Sequence, residues 1–193
     1  MFSFVTSITP GPNNMMLMAS GVNFGFRRTV PHMLGISTGF TLMVALIGFG
    51  LGEVFVRVPL LYTVLKYVGA VYMLYLAYKI ANSGPIAEGG GVRGRPMTFL
   101  QAAAFQWVNP KAWVMAVSAI STYTQPEAYT ASVLLISLVF GLVNLPSVGS
   151  WAAFGVALRR LLTNPRAVRV FNIAMALLLV ASLWPIVEEW RLR

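Results

Sequence analysis

Six separate stretches of this chain stay apolar for about twenty residues or more, and no soluble core can absorb that pattern. They run over about Met1–Phe24, Met33–Phe55, Leu60–Ala81, Thr98–Thr122, Tyr129–Leu158 and Val168–Val187. A helix of ~20 residues crosses the ~30 Å hydrocarbon layer of a bilayer, so each stretch is long enough to span one. The charge content agrees: 10% of the 193 residues are charged, against about 25% in an ordinary soluble domain. The fold class expected is therefore an all-α membrane protein with six transmembrane helices, and the lipid bilayer is its first partner.

The same composition removes several function classes. There is no aspartate, and the five acids are Glu53, Glu88, Glu127, Glu188 and Glu189, a poor start for a paired-carboxylate mechanism. No cysteine is present, and the one histidine, His32, cannot build a zinc site alone, so no metal and no cofactor are expected. An intramembrane serine protease needs Gly-x-Ser-Gly and a deep histidine. Here Gly149-Ser150 is followed by Trp151, and His32 borders a link, where it reads as an interface residue, so no enzyme is expected. The net charge of +9 does not point to nucleic acid, because the basic residues sit in short links between apolar runs and not on one solvated face.

Those links carry orientation. Arg27, Arg28, Lys79, Arg93, Arg95, Arg159, Arg160, Arg166 and Arg169 follow the first, third and fifth runs, while Arg57, Lys66, Arg191 and Arg193 fall on the opposite face. By the positive-inside rule the first group is cytoplasmic, which places both termini on the outer side.

Residues 83–97, from Ser83-Gly84-Pro85 through Gly89-Gly90-Gly91 to Arg95-Pro96, form a Gly/Pro-rich link without apolar periodicity. It separates a first three-helix repeat, 1–82, from a second, 98–193. Each repeat opens on an interrupted helix: Pro10-Gly11-Pro12-Asn13-Asn14 breaks the first run and Asn109-Pro110-Lys111 the fourth. Breaks in corresponding positions of two halves are the sequence pointer to a transporter site. Three crossings per repeat is an odd number, so the two repeats are inverted relative to one another.

Proline removes a backbone donor and displaces the carbonyl four residues before it, and in lipid the freed groups need protein or a wet cavity. A break of this kind offers carbonyls to an ammonium and the positive end of the following half-helix to a carboxylate. An amino acid needs both. Lys111 lies about twelve residues from either end of its run, where an ammonium does not easily reach the interface, and an intramembrane charge reads as functional by default. The candidate substrate-binding residues are Pro10, Gly11, Pro12, Asn13, Asn14, Asn109, Pro110 and Lys111. Asn13, Asn14 and the carbonyls around Pro10 would hold the amino end, and Lys111 with Asn109 the carboxylate. Gln106, Trp107 and Asn144 are weaker candidates for the cavity wall. Gly35 and Gly39 have the small-xxx-small spacing of closely packed membrane helices.

Ile8-Thr9-Pro10-Gly11-Pro12-Asn13-Asn14, then Gly25-Phe26-Arg27-Arg28, then Gly35-Ile36-Ser37-Thr38-Gly39 and Phe105-Gln106-Trp107-Val108-Asn109-Pro110-Lys111-Ala112 together resemble the lysine-exporter and homoserine/threonine-exporter superfamily. Within it the chain looks closest to the branch that exports cysteine and O-acetylserine. The resemblance implies a secondary exporter of a small amino acid in the bacterial cytoplasmic (inner) membrane, coupled to protons and working by alternating access as one repeat rocks against the other. A homo-oligomer is compatible with it. The alternative is a channel-forming or structural membrane protein. Two departures stand out: only nine residues precede Pro10, ~14 Å at helical rise, and the membrane acids of some relatives are missing, which leaves the proton carrier unassigned.

Overall fold

The computed structural model of the chain describes residues 1–85, 92–184 and 188. The first apolar run is two helices, α1 (Phe2–Ile8) and α2 (Pro12–Phe24). Thr9, which precedes a proline, is extended at φ −63°, ψ 145°, the conformation that the Pro10 ring imposes on its neighbour. Pro12 then opens α2 at its first position, where a missing N–H costs nothing.

Gly25, at φ +80°, is the whole connection to α3 (Phe26–Leu46), and that left-handed backbone suits glycine. A π-helical turn with Gly50 at φ +104° leads into α4 (Gly52–Arg57), and α5 (Pro59–Ala81) follows. The second half repeats the opening pattern. α6 (Phe99–Phe105) starts in a capping box made by Thr98 and Gln101, ends in a 3-10 turn over Gln106–Val108, and is separated by Asn109 from α7 (Pro110–Tyr123). The chain then forms α8 (Tyr129–Leu161) and α9 (Pro165–Ala181).

Among the described residues the six apolar runs are largely helical, and three stretches are long and apolar enough to cross a membrane: Phe26–Arg57, kinked at Phe49-Gly50, Pro59–Ala81 and Pro126–Leu161. Three details differ from the sequence reading. The second run starts seven residues earlier, so Arg27 and Arg28 ride on the first turn of α3 instead of lying in a link. His32 is buried at 1% exposure and is not an interface residue, because the single-residue turn at Gly25 folds α3 back against α2. The link holds a small antiparallel ribbon, β1 (Gly84–Pro85) paired with β2 (Val92–Arg93). Residues 86–91 of the link with Glu88, residues 185–187 of the last apolar run, and residues 189–193 with Glu189, Arg191 and Arg193 lie outside the described residues.

The distribution of polarity is the reverse of a soluble protein's. Val71, Leu142 and Leu100 are 67%, 67% and 75% exposed, and many other leucines and valines share that surface. Asn14, Asn23, His32, Gln106, Asn109, Asn144 and Asn172 are buried. An apolar exterior around an amide-rich interior is what lipid as the solvent requires.

The most extensive helix pairings join one half to the other: α2 and α1 lie along α8, α6 lies along α3, α3 crosses α8, and α5 pairs with α9. Glycine sets the closest approaches. A Cβ on Gly21 would collide with the Ala152 carbonyl of α8, and one on Gly155 with the Met18 carbonyl of α2. On the other side a Cβ on Gly39 would lie 2.6 Å from Ala103 Cα of α6, and one on Gly35 2.8 Å from Ala102 Cβ. Backbone-to-backbone contact of this kind gains dispersion energy that lipid cannot supply.

The three basic links meet at one end of the molecule. A methyl on Gly25 would sit 3.7 Å from the Arg159 guanidinium, and one on Gly84 would lie 3.3 Å from Asn172 Nδ2. There Asn23 of α2 and Asn172 of α9 exchange amide hydrogen bonds at 2.7 and 2.9 Å, and Asn172 Nδ2 also donates to the Ser83 carbonyl at 2.7 Å. This staple ties both halves to the link between them. Asn172→Leu leaves the Asn23 oxygen and the Ser83 carbonyl without that donor in a buried place, and should cost on the order of 1–3 kcal/mol. Asn23→Leu combined with it should cost clearly less than the sum of the two single changes, because the pair is removed together. Thermal unfolding of the four proteins in detergent, run as a double-mutant cycle, checks this; strict additivity would deny the coupling.

Candidate functional site

Interrupting α1 after Ile8 exposes its last carbonyls, since the final turn of a helix has no following N–H groups to satisfy them. In lipid each such group needs a partner. The structure supplies them from three directions. Asn14 Nδ2, one turn into α2, donates to the Ser7 carbonyl at 2.9 Å and the Thr9 carbonyl at 2.8 Å. Trp151 Nε1 reaches from α8 to the Ile8 carbonyl at 3.0 Å. Lys111 Nζ arrives from α7 and donates to the Thr9 carbonyl at 2.7 Å, Thr9 Oγ1 at 2.9 Å and the Pro10 carbonyl at 3.3 Å.

The second break is closed by its own amides. Asn109 caps α7 by accepting from the Lys111 N–H at 3.1 Å, and Trp113 Nε1 donates to the Trp107 carbonyl at 2.7 Å. The two breaks are then joined directly. Asn13 Nδ2 donates to Gln106 Oε1 at 2.8 Å, and Gln106 Nε2 donates back to Asn13 Oδ1 at 3.2 Å and to the Ala102 carbonyl at 2.8 Å.

Between these groups lies an open hollow lined by Thr6, Ser7, Gly11, Asn13, Asn14 and Phe40 from one half and by Gln106, Asn109, Lys111, Ala112, Met115, Asn144 and Val148 from the other. Five of the eight candidate residues, Gly11, Asn13, Asn14, Asn109 and Lys111, therefore share one hollow. Pro10, Pro12 and Pro110 do not line it. Their part is in the backbone: they end or start helices at the break, and Pro10 adds a carbonyl to the set around Lys111. Gln106 and Asn144, weaker candidates in the sequence, both belong to the wall, and Ser37 Oγ approaches Asn144 Oδ1 at 3.5 Å. Thr6 and Ser7 carry no sequence signal of their own; placing them requires knowing which face of α1 turns inward.

The electrostatics are one-sided. α2 and α7 both begin at the hollow, and a helix N-terminus presents partial positive charge. The Lys111 partners are neutral oxygens, with no carboxylate among them. Glu53, the one acid of α4, is exposed and held by Arg57 at 3.3 Å one turn away. Ser7 Oγ is buried with no hydrogen-bond partner among the described residues, which leaves a hydroxyl free toward the same space. No cluster of metal-ligating side chains occurs among the described residues. The hollow can thus meet an anion with two helix ends and an ammonium, and a cation with the carbonyls at the end of α1.

Known proteins are similar to this chain over nearly its whole length. The model of the LysE type translocator family matches residues 4–182. Cysteine/O-acetylserine efflux proteins of Escherichia coli strain K12 and of Shigella flexneri are each 33% identical over 183 residues, which cover 93% of this chain and 90% of theirs. No solved structure matches it. The membrane-type surface, the paired helix breaks and the family match agree, and the chain belongs to the LysE type translocator family.

Proposed function

We propose that this protein exports a small neutral amino acid or derivative, of the class that includes cysteine and O-acetylserine, across the bacterial cytoplasmic membrane. The observation that carries the reading is the hollow between the two helix breaks. It gathers around one space the main-chain carbonyls at the end of α1, the unpartnered Ser7 hydroxyl, the Lys111 ammonium that those carbonyls hold, and two helix N-termini. A zwitterion has one group for the acceptors and one for the positive ends. The names of the relatives point to the same chemical class.

The chain crosses the membrane six times as two inverted repeats. In support of this, the order short helix, break, longer helix recurs: α1 has 7 residues and α2 13, while α6 has 7 and α7 14. Reciprocal packing, α1 and α2 along α8 and α6 along α3, has the same symmetry. Export proceeds by alternating access and is driven by the proton gradient. The convergence of the basic links at one end agrees with a cytoplasmic placement of that end and with both termini outside.

Everted vesicles from cells producing the protein should take up radiolabelled cysteine or O-acetylserine saturably, and a protonophore should stop it. Lys111→Met should abolish that uptake while the protein still reaches the membrane, measured by immunoblot of the membrane fraction. Normal transport by an inserted variant would remove Lys111 from the site, and uptake that never saturates would favour a channel. Because the chain has no cysteine, orientation is directly testable with single replacements. Glu127→Cys should react with an impermeant maleimide in intact cells and Arg95→Cys only after permeabilisation; the opposite pattern would reverse the topology.

A further inference from the structure

Lys111 does more here than wait for a carboxylate. Its Nζ is surrounded by three oxygens, the Thr9 carbonyl at 2.7 Å, Thr9 Oγ1 at 2.9 Å and the Pro10 carbonyl at 3.3 Å. An ammonium has three N–H donors and no acceptor, so this is a full set of partners. It is also the set that a bound amino group would need. The side chain reaches it by passing over Gly11: a Cβ there would lie 2.7 Å from Lys111 Cδ and 3.2 Å from Nζ. The hollow that remains has a volume of about 20 Å³, room for about one water and far too little for an amino acid.

We infer that Lys111 is a tethered stand-in for the substrate's ammonium: in the empty transporter its side chain fills the amino subsite, and a zwitterion binds by taking over the Thr9 and Pro10 oxygens while the displaced lysine turns to pair with the incoming carboxylate. This rests on the export reading above and adds to it an exchange of partners. The exchange leaves the net charge of the site unchanged, because a zwitterion adds none. One ammonium occupies the carbonyls before and after, and the lysine moves from neutral oxygens to an anion that arrives in the same molecule. Neither half of the substrate suffices alone. An amine without a carboxylate would force two ammonium groups into one cavity with nothing to receive the displaced one. A carboxylate without an amine would draw Lys111 away and leave the α1 carbonyls bare in a membrane interior, which is costly. Lys111 would therefore set the requirement for an α-amino acid, not merely contribute affinity.

The test uses the full-length protein in nanodiscs with labelled cysteine under reducing conditions. Cysteamine, which is cysteine without its carboxylate, and 3-mercaptopropanoate, which lacks the amine, serve as competitors. In the wild type both should compete more weakly than unlabelled cysteine: cysteamine by at least ~100-fold, the scale expected when two like charges are brought within a few ångströms in a partly buried site, and 3-mercaptopropanoate by at least ~10-fold, the scale of leaving buried carbonyls without a donor. In Lys111→Gln, whose amide can still donate to the Thr9 carbonyl without a charge, and in Lys111→Met, cysteamine should bind directly in a thermal-shift titration and at concentrations at least ~10-fold below those at which it acts on the wild type. 3-Mercaptopropanoate should gain nothing. Wild-type protein that binds cysteamine about as well as cysteine would overturn the proposal without any variant being made. Folded variants with no gain for cysteamine would overturn it as well. Failure of the wild type to bind cysteine or any other amino acid is a different result: it would sink the export reading itself.

Discussion

A helix that stops inside a bilayer leaves main-chain carbonyls with no water to turn to, and the architecture around α1 is organised by that constraint. Its last carbonyls are met by Asn14 from the next helix, Trp151 from α8 and Lys111 from α7. These donors come from separate parts of the chain, so satisfying one helix end fixes α2, α7 and α8 around it. The amide exchange between Asn13 and Gln106 locks the same region from the other side. Stability and site geometry thus have one origin: the groups that repair the broken backbone are those that surround the hollow.

Polar interior and apolar exterior follow from the same solvent. Glycines at 21, 35, 39 and 155 let backbones touch where hydrophobic burial gives no driving force between helices. Amide pairs such as Asn23 with Asn172 supply direction at the end where the links converge. Close packing brings the helices together, and the amides fix their register.

Much of this was legible in the sequence, at the level of segments. Runs of about twenty apolar residues located all six helical regions, because lipid thickness sets their length. Proline marked both breaks, because its backbone restriction acts locally whatever the surroundings. Pro10, Pro12 and Pro110, named among the substrate-binding candidates, take part through the backbone: they do not line the hollow, and Pro10 contributes a carbonyl beside Lys111. The pairings were not legible. Asn13 and Gln106 are 93 positions apart, and Asn23 and Asn172 are 149, so each contact depends on how helices rotate about their axes, which no local pattern encodes. His32 looked like a boundary residue because Arg27 and Arg28 just before it suggested a loop, whereas a single glycine makes the turn and carries it inward. The partner of Lys111 was hidden for a related reason: a long flexible stem chooses among oxygens brought near by tertiary structure.

The pairing of helices across the halves has a mechanical consequence. Gly21 and Gly155 weld α2 to α8, and Gly35 with Gly39 welds α6 to α3, so each tight seam unites one helix from each half of the chain. Cutting the molecule into amino-terminal and carboxyl-terminal blocks would tear both seams. A rearrangement that keeps both seams closed must therefore carry helices of the two halves together, instead of rocking one repeat against the other.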